Sequence, residues 1–168
     1  MAGIIYDLAS VLDDQRECYE GLNTLATYKT DAIVHKNLEL LTEIMEREEA
    51  FIGRLGILEK RRESLLKDIS LVTGLDYQEI TVSKIIEKIG KELEISERLN
   101  EVKGEILKLA GALEKQNQLN QELIKESLEF VNFSVNALQS TQIGMPASYQ
   151  RPGEAEQLEA KSFFDKKQ

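Results

Sequence analysis

The stretch that decides the fold is LTEIMEREEAFIGRLGILEKRRESLLKDISLV, residues 41–72. A seam runs through it in alternating steps of three and four, at positions 41, 44, 48, 51, 55, 58, 62, 65, 69 and 72. Eight of these ten positions are apolar, and this is the spacing of a coiled-coil seam. We therefore expect one long amphipathic helix that packs against other helices along the seam.

Two charged residues, Glu48 and Arg62, interrupt this seam. A buried charge without a partner would be costly. We expect each of them to reach a helix edge or to pair with an opposite charge, and so to help set the helix register.

The residues before this stretch predict a first long helix over residues 4–35. An apolar stripe at helical spacing supports it, formed by Ile4, Leu8, Val11, Cys18, Leu22 and Leu25. Gly21 lies inside the stripe, where it is either the site of a close helix approach or a tolerated residue that costs about 1 kcal/mol against alanine. Asn37 is a good N-cap for the second helix.

After the seam, Gly74 suits the left-handed turn that ends a helix, and Thr81 suits the N-cap of a short one. The last long helix is predicted to start near Ile95 or Ser96 and to run for about 45 residues. Its apolar spacing falters around Asn117 and Asn120, as in a coiled-coil stutter. These two residues either cap a network between helices or contact a partner, and both roles stay open.

The most unusual stretch is NQLNQELIKESLEFVNFSVNAL, residues 117–138. From Phe130 onward the charges stop, and none returns until Arg151. Its apolar residues exceed the roughly 100° stripe that a helix needs to join a core. They either form a partner-binding surface, which we favour, or belong to a core helix buried on two sides. The candidate partner-binding residues here are Leu128, Phe130, Val131, Phe133, Val135 and Leu138.

Prolines and glycines, including Gly144 and Pro146, forbid a continuous helix at the C-terminus. We therefore expect a helical bundle over residues 1–140 and a flexible tail over residues 141–168. The tail carries a second apolar cluster, Leu158, Phe163 and Phe164. This cluster is either a docking motif that orders on contact or a frayed end with chance aromatic residues.

Together these patterns predict an all-α fold, an elongated antiparallel, coiled-coil-like bundle of three long helices, with one short helix and the tail. The seams can pair within one chain or across a homodimer. Both arrangements remain open.

Charge and composition narrow the function. The net charge is −9, and no basic stripe is present that could displace counterions from nucleic acid or bind an acidic membrane surface. The single cysteine, Cys18, excludes an internal disulfide. We find no signal peptide and no apolar run of about 20 residues that could span a bilayer, so we expect a cytosolic protein.

The chain lacks the residue groups that catalysis requires. His35 is the only histidine, and no second histidine or cysteine accompanies it at metal-ligand spacing. Cys18 lies on an apolar stripe, which favours a buried thiol over a nucleophile. The glutamates around Glu48 lack the Glu-x-x-His pairs of a di-metal bundle site. We expect no enzymatic activity, no metal and no cofactor.

Three parts of the sequence resemble the FlgN family of flagellar export chaperones. The first is the helix break at residues 35–38, which leads to EKRRESLLKDI at residues 59–69. The second is Asn117 and Asn120 followed by ELIKESLEFVNF at residues 122–133, and the third is the tail pattern of Tyr149, Gly153 and residues 164–167. Together they cover nearly the whole chain.

The resemblance implies a bacterial cytoplasmic chaperone that binds hook–filament junction proteins and keeps them export-competent. It implies client binding by the C-terminal part of the chain, and contact with export-apparatus components. The alternative from a different class is a structural coiled-coil scaffold that self-associates and has no client.

Overall fold

A computed structural model describes residues 2–143, and its helices follow the predicted order. They are α1 (Ala2–Val34), α2 (Leu38–Thr73), α3 (Val82–Ile89) and α4 (Glu94–Ile143). The described residues contain no strand. The all-helical class, with three long helices and one short one, is thus confirmed.

Local capping chemistry sets the helix boundaries. The Asn37 side chain accepts a hydrogen bond from the backbone N–H of Leu40 at 3.1 Å, which caps α2. Gly74 ends α2 with a φ of +72°, a left-handed conformation that glycine adopts without a steric penalty. Thr81 caps α3 by accepting from the N–H of Lys84 at 3.2 Å.

Helices α1 and α2 pack antiparallel and make the closest backbone approach between elements. Paired residues are 44 positions apart in the sequence at Gln15–Glu59 and only 19 apart at Lys29–Glu48. The backbone comes close at Gly21, because a Cβ built there would meet the ring of Phe51 at 2.4 Å.

Helix α4 runs in the same direction as α1, because bonded residues on the two helices stay 85 to 94 positions apart. The pairs run from Asp13–Arg98 to Thr30–Asn120. These hydrogen-bonded pairs border an apolar core. In that core, Leu8 of α1 and Leu99 of α4 are fully buried.

The short helix α3 covers one end of this core. Ile85 and Ile86 are buried in the cluster that also holds Leu8, Leu99 and Ile69. Because α3 buries these isoleucines against three other helices, packing holds it despite its length of eight residues.

The predicted α2 seam faces the core except at its last position. Ile44, Leu58 and Ile69 are buried, and the positions between them are half-buried. Val72, in contrast, is exposed, and Leu66 is buried instead. Val72 lies in the last turn of α2, which ends at Thr73, where the chain leaves for the connector to α3.

Tertiary contacts divide the chain within α4. Residues up to Lys125 form one compact unit, which contains the packing of α1, α2 and α3. Residues from Glu126 onward belong to a second unit.

Candidate protein-binding surface

The predicted partner-binding residues of α4 are all exposed. We call them the α4 stripe: Leu128, Phe130, Val131, Phe133, Val135 and Leu138. Their side chains are between 45% (Val135) and 71% (Phe133) exposed. The same helix carries no charged residue between Phe130 and Ile143. A solvated helix face would normally be charged, so this surface has the composition of an interface.

Four residues of the stripe, Leu128, Val131, Val135 and Leu138, resume the apolar spacing by which α4 packs on α1, after the falter around Asn120. Phe130 and Phe133 lie outside this spacing and widen the apolar surface to a second face of the helix. That spacing buries Leu99 and Val102 and leaves Ile106 half-buried. The last buried residue of α4 is Asn120. Helix α1 ends at Val34, and an offset of about 90 residues places Val34 level with Ile124. The apolar spacing of α4 thus continues in the sequence past Ile124.

A polar network joins α1 and α4 at Asn120. Its Nδ2 donates to the carbonyl oxygen of Ala26 at 2.9 Å, and its Oδ1 lies 2.5 Å from the Thr30 hydroxyl. Gln116 Nε2 donates to the same hydroxyl at 2.6 Å. Asn120 is only 2% exposed, so its amide needs these partners. Asn117, one residue past Gln116, is exposed.

The charged seam residues of α2 both have partners of opposite charge. Lys29 Nζ lies 2.5 Å from Glu48 Oε2, which ties α2 to α1. Arg62 Nε donates to Glu59 at 2.9 Å, and Gln15 of α1 donates to the same carboxylate at 3.1 Å. The hydrogen bond from Arg62, reinforced by the one from Gln15, lowers the pKa of Glu59.

Sequence patterns did not identify several partners in these contacts. Lys29, Thr30 and Gln15 look like ordinary polar residues of α1, and Gln116 looks like an ordinary polar residue of α4. Their one available signal was position, since each borders the apolar stripe of its helix. Which residues they contact depends on the register of α1 against α2 and α4.

Two reactive residue types take no part in the surface. Cys18 is buried between α1 and α2, and burial raises the pKa of its thiol. His35 lies at the α1–α2 turn, with Nδ1 2.9 Å from the carbonyl oxygen of Asp31. Across residues 2–143, no three His, Cys, Asp or Glu side chains cluster as a metal ion would require.

None of the described helices is long and apolar enough to cross a membrane. The tail cluster, Leu158, Phe163 and Phe164, lies outside the described residues.

The chain is 28% identical, over 120 residues, to the uncharacterized protein YvyG of Bacillus subtilis strain 168, a match that covers 71% of each chain. No solved structure matches the present chain. The family model described as "FlgN protein" matches residues 1–157, which is nearly the full length. The chain therefore belongs to the FlgN family, a family of flagellar export chaperones.

Proposed function

We propose that this protein binds hook–filament junction proteins in the bacterial cytoplasm and keeps them export-competent until they are secreted. Membership of the FlgN family supports the general chaperone role. The observation that carries the proposal is the α4 stripe, six exposed apolar side chains in a helix section that becomes free of charge.

The stripe suits capture of an amphipathic helix. From Leu128 to Leu138 there are ten steps along the helix, or about 15 Å at 1.5 Å per residue. A client segment with apolar residues at steps of three and four could lie along it. Junction proteins whose terminal segments are disordered before assembly would present such stretches, and covering them would prevent premature polymerisation.

Reversible binding follows from the same physics. Burying one large apolar side chain contributes about 1.5–3 kcal/mol, so a few contacts suffice for a specific complex. A client segment that folds on binding loses conformational entropy, which lowers the net affinity. The complex can therefore dissociate at the export apparatus, whose components are the second class of partner we propose.

Other exposed apolar residues are weaker candidates for a client-binding surface. Ile57 of α2 is 72% exposed, but charged residues surround it in the sequence, from Arg54 to Lys60. Single exposed apolar residues of this kind are normal on protein surfaces. On α4, in contrast, the apolar residues from Phe130 to Leu138 follow one another without charges between them.

We assign a structural role to three polar residues. Glu48 and Asn120 pair directly with α1. Arg62 holds Glu59 of its own helix, to which Gln15 of α1 donates. All three thereby support the register of α1 against its neighbours. Asn117, which is exposed, is available for contact with a client.

The matched pair Phe133→Asp and Ile57→Asp tests the proposal. Both residues are more than 70% exposed, so neither substitution should disturb the core. We expect Phe133→Asp to abolish co-purification of a junction protein, because a charge would be buried in the interface. Ile57→Asp should leave co-purification intact.

Circular dichroism provides the control for folding. Phe133→Asp should keep nearly the helicity of the parent protein. A loss of helicity would show that Phe133 belongs to the core, and undiminished client binding would place the interface elsewhere.

The alternative is a self-associating scaffold, since a second copy of the chain could also cover the stripe. Light scattering distinguishes the two functions. A scaffold would form a homo-oligomer that gains no helix when junction protein is added, whereas a chaperone would form a defined complex with an otherwise aggregating client.

A further inference from the structure

We propose that the C-terminal segment of the same chain covers the α4 stripe when no client is bound. We call residues 154–168, EAEQLEAKSFFDKKQ, the terminal segment. This inference rests on the proposed function, because the covered surface is the one proposed to bind clients. The terminal segment would act as a built-in competitor that the client has to displace.

The apolar residues of the two regions complement each other. The stripe exposes Val131, Phe133 and Val135 in a section without charges. The terminal segment supplies Leu158, Phe163 and Phe164 in an otherwise polar sequence. A protein kept in solution without its partner seldom leaves a contiguous apolar patch uncovered.

The chain has the length for this return. Helix α4 ends at Ile143, and residues 144–153 include two glycines and two prolines, which favour turns. Residues after Gly153 would need to cover about 15 Å to run along the stripe. An extended chain covers this distance in about five residues and a helix in about ten. The terminal segment has fifteen residues, 154 to 168.

The charges also match. Residues 161–168 carry three lysines and one aspartate, a net charge of +2. Residues 122–129 of α4 carry three glutamates and one lysine, a net charge of −2. If the chain returns antiparallel to α4 with Phe163 and Phe164 on the stripe, Lys166 and Lys167 come level with Glu126 and Glu129.

Tethering makes a weak contact effective. A segment joined by a short flexible linker has an effective concentration in the millimolar range at its target. A client then binds only the uncovered fraction, so its apparent Kd equals the intrinsic Kd divided by that fraction. The terminal segment would thus lower client affinity and favour release.

The first test uses the full chain without client. It compares the parent chain with the triple variant Leu158→Ser, Phe163→Ser, Phe164→Ser. In the variant, the amide hydrogens of residues 126–140 should exchange faster. The variant should also bind more of a hydrophobic dye. Unchanged exchange and unchanged dye binding would overturn the proposal. The proposal would also be overturned if the protection of residues 126–140 in the parent chain rose with protein concentration, because a second copy would then be covering the stripe.

A charge-swap experiment tests the contact itself. Lys166→Glu with Lys167→Glu should speed exchange in residues 126–140. Adding Glu126→Lys and Glu129→Lys should restore slow exchange, whereas Glu101→Lys, an exposed charge reversal earlier on α4, should not. Absence of rescue by the paired swap would overturn the docking geometry.

Client affinity separates this inference from the proposed function. If about a tenth of the molecules are uncovered, the triple variant should bind a junction protein with about tenfold lower Kd. A higher Kd in the triple variant would make the segment a client contact and overturn the inference. The proposed function fails on a different result, namely client binding that survives Phe133→Asp.

Discussion

At the scale of single residues, Asn120 shows how one polar side chain can fix a helix register. Its buried amide bonds Ala26 and Thr30 of α1, at the point where the apolar spacing of α4 falters. The sequence indicated that Asn117 and Asn120 were unusual but left their roles open. Which of them faces α1 depends on the rotation of α4 about its axis, and that is a tertiary property.

The two asparagines form a matched pair for mutation. Asn120→Ala should lower the free energy of unfolding by about 1–3 kcal/mol, because it removes a buried amide and leaves the Thr30 hydroxyl and the Ala26 carbonyl with fewer partners. Asn117→Ala should change it by less than about 0.5 kcal/mol, since Asn117 is exposed. Urea unfolding measures both. Equal effects would contradict the network.

Glu59 links stability to pH. Because Arg62 holds the pKa of Glu59 below that of an unfolded glutamate, about 4.3, the carboxylate stabilises the fold above that pH. This stabilisation is lost as the pH falls through the lower folded pKa. Glu59→Gln should therefore melt at a lower temperature than the parent at pH 7, and the difference should shrink below about pH 4. A difference that does not depend on pH would contradict the ion pair.

At the scale of helices, the seam of α2 could be predicted closely because its period is long and regular. Its capping residues Asn37 and Gly74 were also identifiable, since each has a local chemical role. Val72 could not be placed correctly, because the departure of the α2 end from the core depends on where the connector to α3 leads. For α4, spacing alone could not show whether the apolar stripe after Asn120 is covered.

Close packing of α1 on α2 makes a prediction about two glycines. Gly53→Ala on the exposed face of α2 should stabilise the protein by up to about 1 kcal/mol, through helix propensity alone. Gly21→Ala gains the same propensity, but its Cβ would meet the Phe51 ring at 2.4 Å. The ring must then move, so Gly21→Ala should be less stable than Gly53→Ala by about 1–3 kcal/mol. Equal stabilisation in urea unfolding would show that the Phe51 ring yields freely.

At the scale of the whole molecule, the sequence predicted the helical class and the candidate surface for the same reason. Apolar residues at helical spacing predict that one face of a helix is covered, but they do not show which helix or protein covers it. Between residues 2 and 120 the cover is another helix of this chain, as the burial of Leu8 and Leu99 shows. We propose that the client covers the exposed α4 stripe and that the terminal segment covers it before the client binds.

Client binding to the α4 stripe can be measured by hydrogen exchange with and without a junction protein. We expect added client to slow exchange in residues 124–138 of the triple variant Leu158→Ser, Phe163→Ser, Phe164→Ser, in which the terminal segment no longer covers the stripe, with little change in α1 and α2. Slowed exchange confined to α1 and α2, with residues 124–138 unaffected, would contradict this account.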